Sequence, residues 1–302
     1  MDVLERYRPI VDDFEAFRAA SERPLPRVVR VNTIKTGVER AVEALEDEGY
    51  TPEQADWNPT LLRLAADNPG ANWPYVHGWI YGQEEVSALP ATVLDPSPGE
   101  RAFDACAAPG SKTTQLAALM EDSGTLVAND SSLGRLTALR SNAERCGVTN
   151  LVVTNSDARN YSLDPLGGEP FDRTLVDAPC SCEGTVRKNP DALAEWSRER
   201  VESVAALQKG ILRRAVQATR PGGTVVYSTC TFAPEENEAV VDHVLAREDC
   251  RIAAFDSPLP AEPGVTEWEG ETFDPTVARA RRVYPHLSDT GGFFCAKLEV
   301  AG

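Results

Sequence analysis

The spacing of apolar positions changes along the chain, and the change divides it. From about residue 100, short apolar runs rich in Val, Leu and Ala alternate with segments of helical period. RAFDAC, GTLVAND, NLVVTN, FDRTLVDA and GTVVYSTC read as strands, and KTTQLAALM, LGRLTALRSNAERC, RERVESVAALQKGILRRAVQAT and ENEAVVDHVLAR read as helices. Strands with little polar alternation, separated by amphipathic helices, specify a mostly parallel, doubly wound α/β sheet covered on both faces. The final GGFFCAKLEV reads as a strand closing one edge. Before this block the pattern is mixed: DDFEAFRAAS and TGVERAVEALEDEGY have helical spacing and RVVRVNTI reads as a strand. Asn58, Pro59, Pro69, Gly70 and Pro74 then interrupt it. A small α+β module over residues 1–75 and a larger domain over 76–302 are expected. The stretch 256–275, rich in Pro, Gly and acid, reads as a surface loop.

Composition narrows the class. The 302 residues are 42% hydrophobic, enough for a sizeable core. No run approaches the ~18 apolar residues of a membrane span, and the acidic N-terminus has no apolar signal core, so a cytoplasmic protein is expected. The net charge is −17, and of 30 basic residues five are Lys, leaving 25 Arg. An acid excess with Lys nearly eliminated fits a halophile, where salt screens self-repulsion over a few Å. Global charge then says little about nucleic acid, and local basic clusters become the signal. Two stand out, Arg27, Arg30 and Lys35, and Arg279, Arg281 and Arg282. The seven Cys, at 106, 146, 180, 182, 230, 250 and 295, include no CxxC pair, so neither structural disulfides nor a metal site is expected.

The chemistry gathers at strand ends, where a doubly wound sheet binds ligands. The first strand of the alternating block runs into Asp104, Ala105, Cys106, Ala107, Ala108, Pro109, Gly110, Ser111 and Lys112. Small residues at 107, 108 and 110 admit a ligand close to the backbone, and the helix beginning near Ser111 points its N-terminus at it. The turn is neither GxGxxG nor GxxxxGK[ST], which disfavours dinucleotides and nucleoside triphosphates. Asp130, Asp157 and Asp177 end the following strands. A lone strand-end Asp is usually a helix cap; four converging on one crevice suit a nucleoside with a cationic amino-acid tail. Asp130 is placed for ribose hydroxyls and Asp157 for an adenine amino group. That set points to S-adenosylmethionine.

Beside this site stand two cysteine loops, Asp177-Ala-Pro-Cys180-Ser-Cys182-Glu-Gly184 and Thr229-Cys230-Thr231. Carbon 5 of cytosine is a poor nucleophile, and a thiolate adding to carbon 6 turns the ring into an enamine that can attack a methyl donor. Spacing alone does not choose between Cys180 and Cys230. Asp177 suits hydrogen bonding to the ring nitrogen or exocyclic amine. Lys112 either orients Asp177 or the base, or simply solvates its helix start.

The motifs DACAAPGSKTTQLA, DAPCSCEGTVRKNP and YSTCTFAPEENE resemble those of the Nol/Nop/Sun-type RNA cytosine-5 methyltransferases, from GWIYGQEE at 78–85 through RVYPHLSDTGGFF at 282–294. The resemblance implies a class I, Rossmann-like methyltransferase sheet and a donor bound by Cys106 to Lys112, Asp130, Asp157 and Asp177. It implies Cys230 as nucleophile and Cys180 as the residue assisting product release. Cys182 departs from it, since many members carry Gly there. A catalytically silent RNA-binding factor would be expected to lose Cys230 or Asp177. A DNA methyltransferase would place its nucleophile in the Pro-Cys loop. The expected partner is RNA, tRNA ahead of rRNA, bound by a monomer. A single-stranded or extruded cytosine enters between the cysteine loops, with phosphates near the two basic clusters and near Arg187 and Lys188.

Overall fold

The computed structural model describes residues 3–65 and 72–302. A 3₁₀ segment Val3–Ile10 precedes helix α1 (Phe14–Ser21), which Asp13 caps by accepting from the Ala16 N–H. Strand β1 (Arg27–Val31), helix α2 (Val38–Asp47), strands β2 (Pro52–Ala55) and β3 (Asn58–Leu64), helix α3 (Trp73–Val76) and strand β4 (Ile80–Gly82) follow. They build a four-stranded sheet of order β2-β3-β1-β4, with β1 antiparallel to both neighbours. Val29, Val31, Leu62, Leu64 and Ile80 of the sheet pack against Ala41 and Leu45 of α2.

The expected division at residue 75 does not follow this packing. The small sheet takes its fourth strand from Ile80–Gly82. Residues 3–20 pack elsewhere, with Tyr7, Phe14 and Phe17 joining the core of the large sheet, where the Phe17 ring meets Phe232 and Tyr284 edge-on. Asn58 and Pro59 do not end the pattern; they open β3 after a tight turn, where the Asn58 side chain accepts from Thr60. Pro69 and Gly70 lie outside the described residues.

After helix α4 (Leu89–Leu94) the alternating block begins: β5 (Arg101–Asp104), α5 (Ser111–Leu119), β6 (Thr125–Asn129), α6 (Leu133–Cys146), β7 (Leu151–Thr154), β8 (Phe171–Asp177), α7 (Arg198–Ala218), β9 (Thr219–Thr229) and α8 (Glu238–Leu245). Strands β10 (Cys250–Ala253), β11 (Glu262–Pro263), β12 (Glu267–Trp268), β13 (Glu271–Thr272) and β14 (Arg281–Val283), helix α9 (Pro285–Ser288) and strand β15 (Phe293–Val300) complete the chain. The large sheet has the order β11-β14-β15-β9-β8-β5-β6-β7, with β10 also paired to β15. Strands β7, β6, β5, β8 and β9 are parallel, and the rest are antiparallel. It is the expected doubly wound architecture with an antiparallel flank. One expectation changes: β15 does not close an edge, because β10 and β14 pair along its far side. Both are short, and β14 lies in a segment that reads as a basic cluster.

Strand order reverses between β5 and β8, which pair directly. A crevice therefore opens beyond their carboxyl ends, where Asp104 and Asp177 sit. Among the described residues, no helix is long and apolar enough to cross a membrane.

Candidate active site

The donor loop is built as its residue types suggest. Gly110 has φ +104°, and a Cβ there would meet the Leu139 Cδ1 at 2.9 Å, so the turn into α5 needs glycine for conformation and for space. The loop is pinned by the Ala107 N–H donating to the Asn129 carbonyl at 2.8 Å and the Ala108 N–H donating to Asp130 Oδ2 at 3.2 Å. The Asp130 carboxylate also accepts from the Ser132 N–H at 2.9 Å and faces Arg135 at 3.3 Å. Its Oδ1, with one partner, keeps a further lone pair. Asp157 accepts from the Arg159 backbone and lies against its guanidinium, a hydrogen bond that holds its carboxyl below the usual range. Asp104 is fully buried. Its Oδ2 accepts from Thr113 at 2.7 Å, whereas Oδ1 has no partner, and burial raises its carboxyl to about 7.

Two cavities meet here. One, of about 410 Å³, is lined by Cys106, Ala108, Asp130, Asp157, Ala178 and Ile211 among others. The second, of about 370 Å³, runs past Tyr81, Ser87, Pro109, Ser111, Lys112 and Lys188. Their walls share Cys106, Ala108, Asp177 and Cys230. A donor in the first and a base in the second would therefore face each other across Asp177 and Cys230.

Asp177 is held on both sides: Lys112 Nζ lies 2.7 Å from Oδ2, and the Ser228 hydroxyl donates to Oδ1 at 2.9 Å. Burial alone would lower the Lys112 ammonium, but the charge and hydrogen bond of Asp177 outweigh it and the net shift is upward. Lys112 also donates to the Ser87 hydroxyl at 3.2 Å. Of its two readings, orienting Asp177 fits this geometry; solvating the helix start does not, since Lys112 is buried.

The two cysteine loops converge. Cys180 Sγ lies 3.2 Å from Cys230 Sγ and 3.7 Å from Cys182 Sγ. Hydrogen bonding to Cys182 and Cys230 pushes the Cys180 thiol up, and the same contact from Cys180 holds Cys182 down. For Cys230 the Cys180 contact lowers the thiol, but Cys182 and burial outweigh it and the net shift is upward. Cys106, buried, is also pushed up.

Beneath the thiols lies a polar network that the motifs contain but residue-type reasoning passed over. The Glu183 carboxylate accepts from Tyr7 Oη at 2.9 Å and from the Thr231 hydroxyl, and Ser181 Oγ sits 2.5 Å from it. Glu236 accepts from the Ser181 N–H at 3.1 Å and from Gln208 Nε2 at 2.8 Å, and also contacts Ser181 Oγ. One serine hydroxyl has one proton for two carboxylates. Burial raises the Glu236 carboxyl to about 8, so Glu236 carries the second proton at neutral pH. Backbone contacts complete the clamp. The Gly184 N–H donates to the Cys230 carbonyl at 3.0 Å, and the Gly292 N–H donates to the Gly184 carbonyl at 2.8 Å. Only a sequence-distant partner such as Gly292 gives these glycines their meaning.

Three of the expected phosphate contacts are not available to a ligand. Arg30 is buried and donates to the Ser111 carbonyl and the Thr114 hydroxyl, both at 2.8 Å, stitching β1 to α5; burial lowers its guanidinium to about 10. Arg282 is buried against Glu238, at 2.7 Å through Nε. Arg187 is consumed by the carbonyls of Arg23, Pro24 and Thr290 and by Asp289. Each is an Arg whose fork geometry serves internal stitching. Lys35 and Arg279 are exposed but donate to backbone carbonyls, and Arg281 is half-buried and donates to neighbouring carbonyls. Arg27 and Lys188 are exposed beside a groove that shares Gly82, Gln83, Glu84 and Lys188 with the second cavity.

Comparison with known proteins gives this geometry relatives. A family model described as 16S rRNA methyltransferase RsmB/F matches residues 91–299, and one described as the ferredoxin-like domain of NOL1/NOP2/Sun domain family member 5 matches residues 25–67. The tRNA (cytosine(49)-C(5))-methyltransferase of Pyrococcus abyssi is 38% identical over 98% of this chain and 94% of its own. Ribosomal RNA small subunit methyltransferase F of Erwinia tasmaniensis is 36% identical over 99% of this chain, which spans 62% of that protein. A methyltransferase homolog from Pyrococcus horikoshii superposes with a TM-score of 0.86 at 33% identity, over 98% of this chain and 93% of that one. NSun6 from Pyrococcus horikoshii, solved with SFG, shares the fold at a TM-score of 0.86 and 23% identity, over 100% of this chain and 98% of that one.

Proposed function

This chain belongs to the RsmB/F family of RNA cytosine-5 methyltransferases, and we propose that it methylates a cytosine of tRNA through a covalent bond to Cys230. It is a methyltransferase that uses S-adenosylmethionine, and the donor cavity fits that molecule: a glycine turn that admits it to the backbone and the strand-end carboxylates Asp130, Asp157 and Asp177 on its wall, with a buried Asp104 oxygen without a partner where the second cavity adjoins it. Bound there, the donor supplies an electrophilic methyl group on a sulfonium. Asp130 would bind its ribose, Asp157 its adenine amino group, and residues Cys106 to Lys112 would wrap it.

The carrying observation is that the two cavities share Cys230 and Asp177. The Cys230 thiolate adds to carbon 6 of the base, forming a carbon–sulfur bond and moving an electron pair to carbon 5, which takes the methyl group. Asp177, locked between Lys112 and Ser228, faces the nitrogen edge of the ring and stabilises the adduct. A base takes the carbon 5 proton, its electron pair restores the carbon 5–carbon 6 double bond, and Cys230 leaves as a thiolate; Cys180, 3.2 Å from Cys230, is placed to assist that release. Nothing in these steps calls on a metal. RNA approaches along the groove beside Arg27 and Lys188.

The tRNA assignment draws on the Pyrococcus abyssi relative, which this chain matches over nearly its whole length; 16S rRNA is the second reading, from the bacterial relatives. We place the protein in the cytoplasm of a haloarchaeon, as a monomer, on the acid-rich and Lys-poor composition. Incubation with labelled donor and either RNA, followed by bisulfite sequencing, tests the target: methylation of rRNA but not tRNA removes the tRNA reading. Cys180→Ala is expected to accumulate a protein–RNA adduct and Cys230→Ala to form none. An adduct in the latter overturns the assignment of the nucleophile.

A further inference from the structure

Cys182 has no part in the chemistry above, yet the chain strains its backbone to keep it. Its φ is +69°, in the left-handed region where a Cβ crowds the following carbonyl and glycine is the natural occupant. A non-glycine residue held there points to a use for its side chain. The thiol turns inward, 3.7 Å from Cys180 Sγ, and the sulfurs of Cys180, Cys182 and Cys230 all lie within 4.8 Å of one another.

Those separations approach those of a coordination sphere. Sulfurs on a tetrahedral zinc, each about 2.3 Å from the ion, stand about 3.8 Å apart; here two of the three separations are 3.2 and 3.7 Å. The donor set is all thiol, with no imidazole or carboxylate in the group, and such a set selects soft cations over magnesium, calcium or manganese. All three residues line the donor cavity, which gives an ion a way in. The geometry points to a three-thiolate site for a thiophilic d10 cation, zinc or copper(I), formed by Cys180, Cys182 and Cys230, whose occupation stops methyl transfer.

Binding forms three sulfur–metal bonds and releases to solvent the protons those thiols carry; no electron is transferred. The Cys230 lone pair that would attack carbon 6 is then held by the ion, so cation and RNA compete for one sulfur. The site itself rests on geometry alone; the inhibition rests on Cys230 being the nucleophile of the proposed function.

The test uses the full chain, reduced with a phosphine. Cadmium titration follows the thiolate-to-metal charge-transfer band, and chelator-buffered zinc gives affinity and methyl transfer in parallel. One ion per chain is expected, with inhibition at the free zinc concentration that half-fills the site and recovery on chelation. Losing the supporting hydrogen bond of a metal ligand costs about 10–100-fold in affinity, so Cys182→Gly, which loses a ligand outright, should weaken zinc binding about 100-fold or more. The midpoint of inhibition should move by the same factor relative to the variant's own zinc-free rate. Cys182→Ser, which keeps the side chain's shape, should show the same loss. No charge-transfer band in the parent, or unchanged zinc affinity in both variants, overturns the site. Stoichiometric binding through Cys182 with full methyl transfer overturns the inhibition, and with it Cys230 as nucleophile, while leaving the metal site standing.

Discussion

The donor crevice and the thiol loops face each other across Asp177, but they are built on different principles. The donor turn is mostly local: a strand ends in a carboxylate, a glycine turn follows, and a helix starts, all within the ten residues from Asp104 to Thr113, with Asn129 and Asp130 at the end of the next strand pinning it. The thiol side is assembled from afar. Its two loops are clamped by Glu183 and Glu236, by Tyr7 from the N-terminal segment, and by Gly292 before the last strand. A locally built site tolerates change elsewhere, whereas a clamped one transmits it.

The largest effect should therefore come from a residue that touches no ligand. A Cβ on Gly184 would stand 2.3 Å from the Gly292 carbonyl oxygen and 2.8 Å from that of Cys230. Both are backbone atoms, so one loop must shift. Overpacking of this kind costs about 1–3 kcal/mol, and a 1 Å displacement of a catalytic group about 10²-fold in rate. Gly184→Ala should lose methyl transfer by about that factor while still binding S-adenosylhomocysteine, as calorimetry can show. Equal loss of donor binding would break the distinction between the two sides.

Removing the shared acid comes next. Glu236→Ala leaves the Ser181 N–H and one Gln208 N–H without a partner, a cost of about 1–3 kcal/mol in urea unfolding. Glu236→Gln should cost less, and its difference from the parent should depend on pH. Burial raises the folded carboxyl to about 8, above its unfolded value. The stability this contributes is complete below the unfolded carboxyl range and is lost as pH rises through 8. Glu236→Gln should therefore gain on the parent between pH 6 and pH 9. A constant difference would mean that Glu236 is already ionised.

On the donor side the effect should be smaller and visible in affinity. Asp104 has one buried oxygen without a partner and a carboxyl raised by burial to about 7. If that oxygen meets the donor's ammonium group, ionisation strengthens the contact, and S-adenosylhomocysteine should bind about tenfold tighter at pH 8 than at pH 6. Asp104→Asn should bind it weakly and without that pH dependence. A parent affinity flat over this range would place the ammonium elsewhere.

The same contrast explains what could be read from the chain alone. The parallel strands and α5 to α8 were legible because burial on both faces and helical period leave continuous signals, and the residues meeting at the donor turn are neighbours in sequence. The pairing of β15 inside the sheet was not, because β10 and β14 are only four and three residues long. Arg30, Arg187 and Arg282 looked like phosphate ligands because charge is visible in sequence and burial against a partner is not. Glu183 and Glu236 stood within recognised motifs without a role, since their role depends on each other, on Tyr7 and on a single shared proton.

The smallest effect sharpens the comparison most finely, because it changes the thiol side without disturbing the clamp. Cys182→Gly relieves a left-handed backbone, where a non-glycine residue costs about 1–2 kcal/mol, and loses some of that gain to the greater freedom of an unfolded glycine; a net stabilisation below about 1 kcal/mol is expected. It also removes a group that raises the Cys230 thiol, through both its hydrogen bond and its charge. With Cys230 as the proposed nucleophile, its thiolate is the reactive form, so in the parent kcat/KM should climb on the alkaline side, and in Cys182→Gly that rise should move to lower pH. Activity rather than stability reports this shift, and a metal-free pH–rate profile of both proteins measures it. If the two profiles coincide, Cys182 does not share its proton with the nucleophile, and the three thiols do not act as one electrostatic unit.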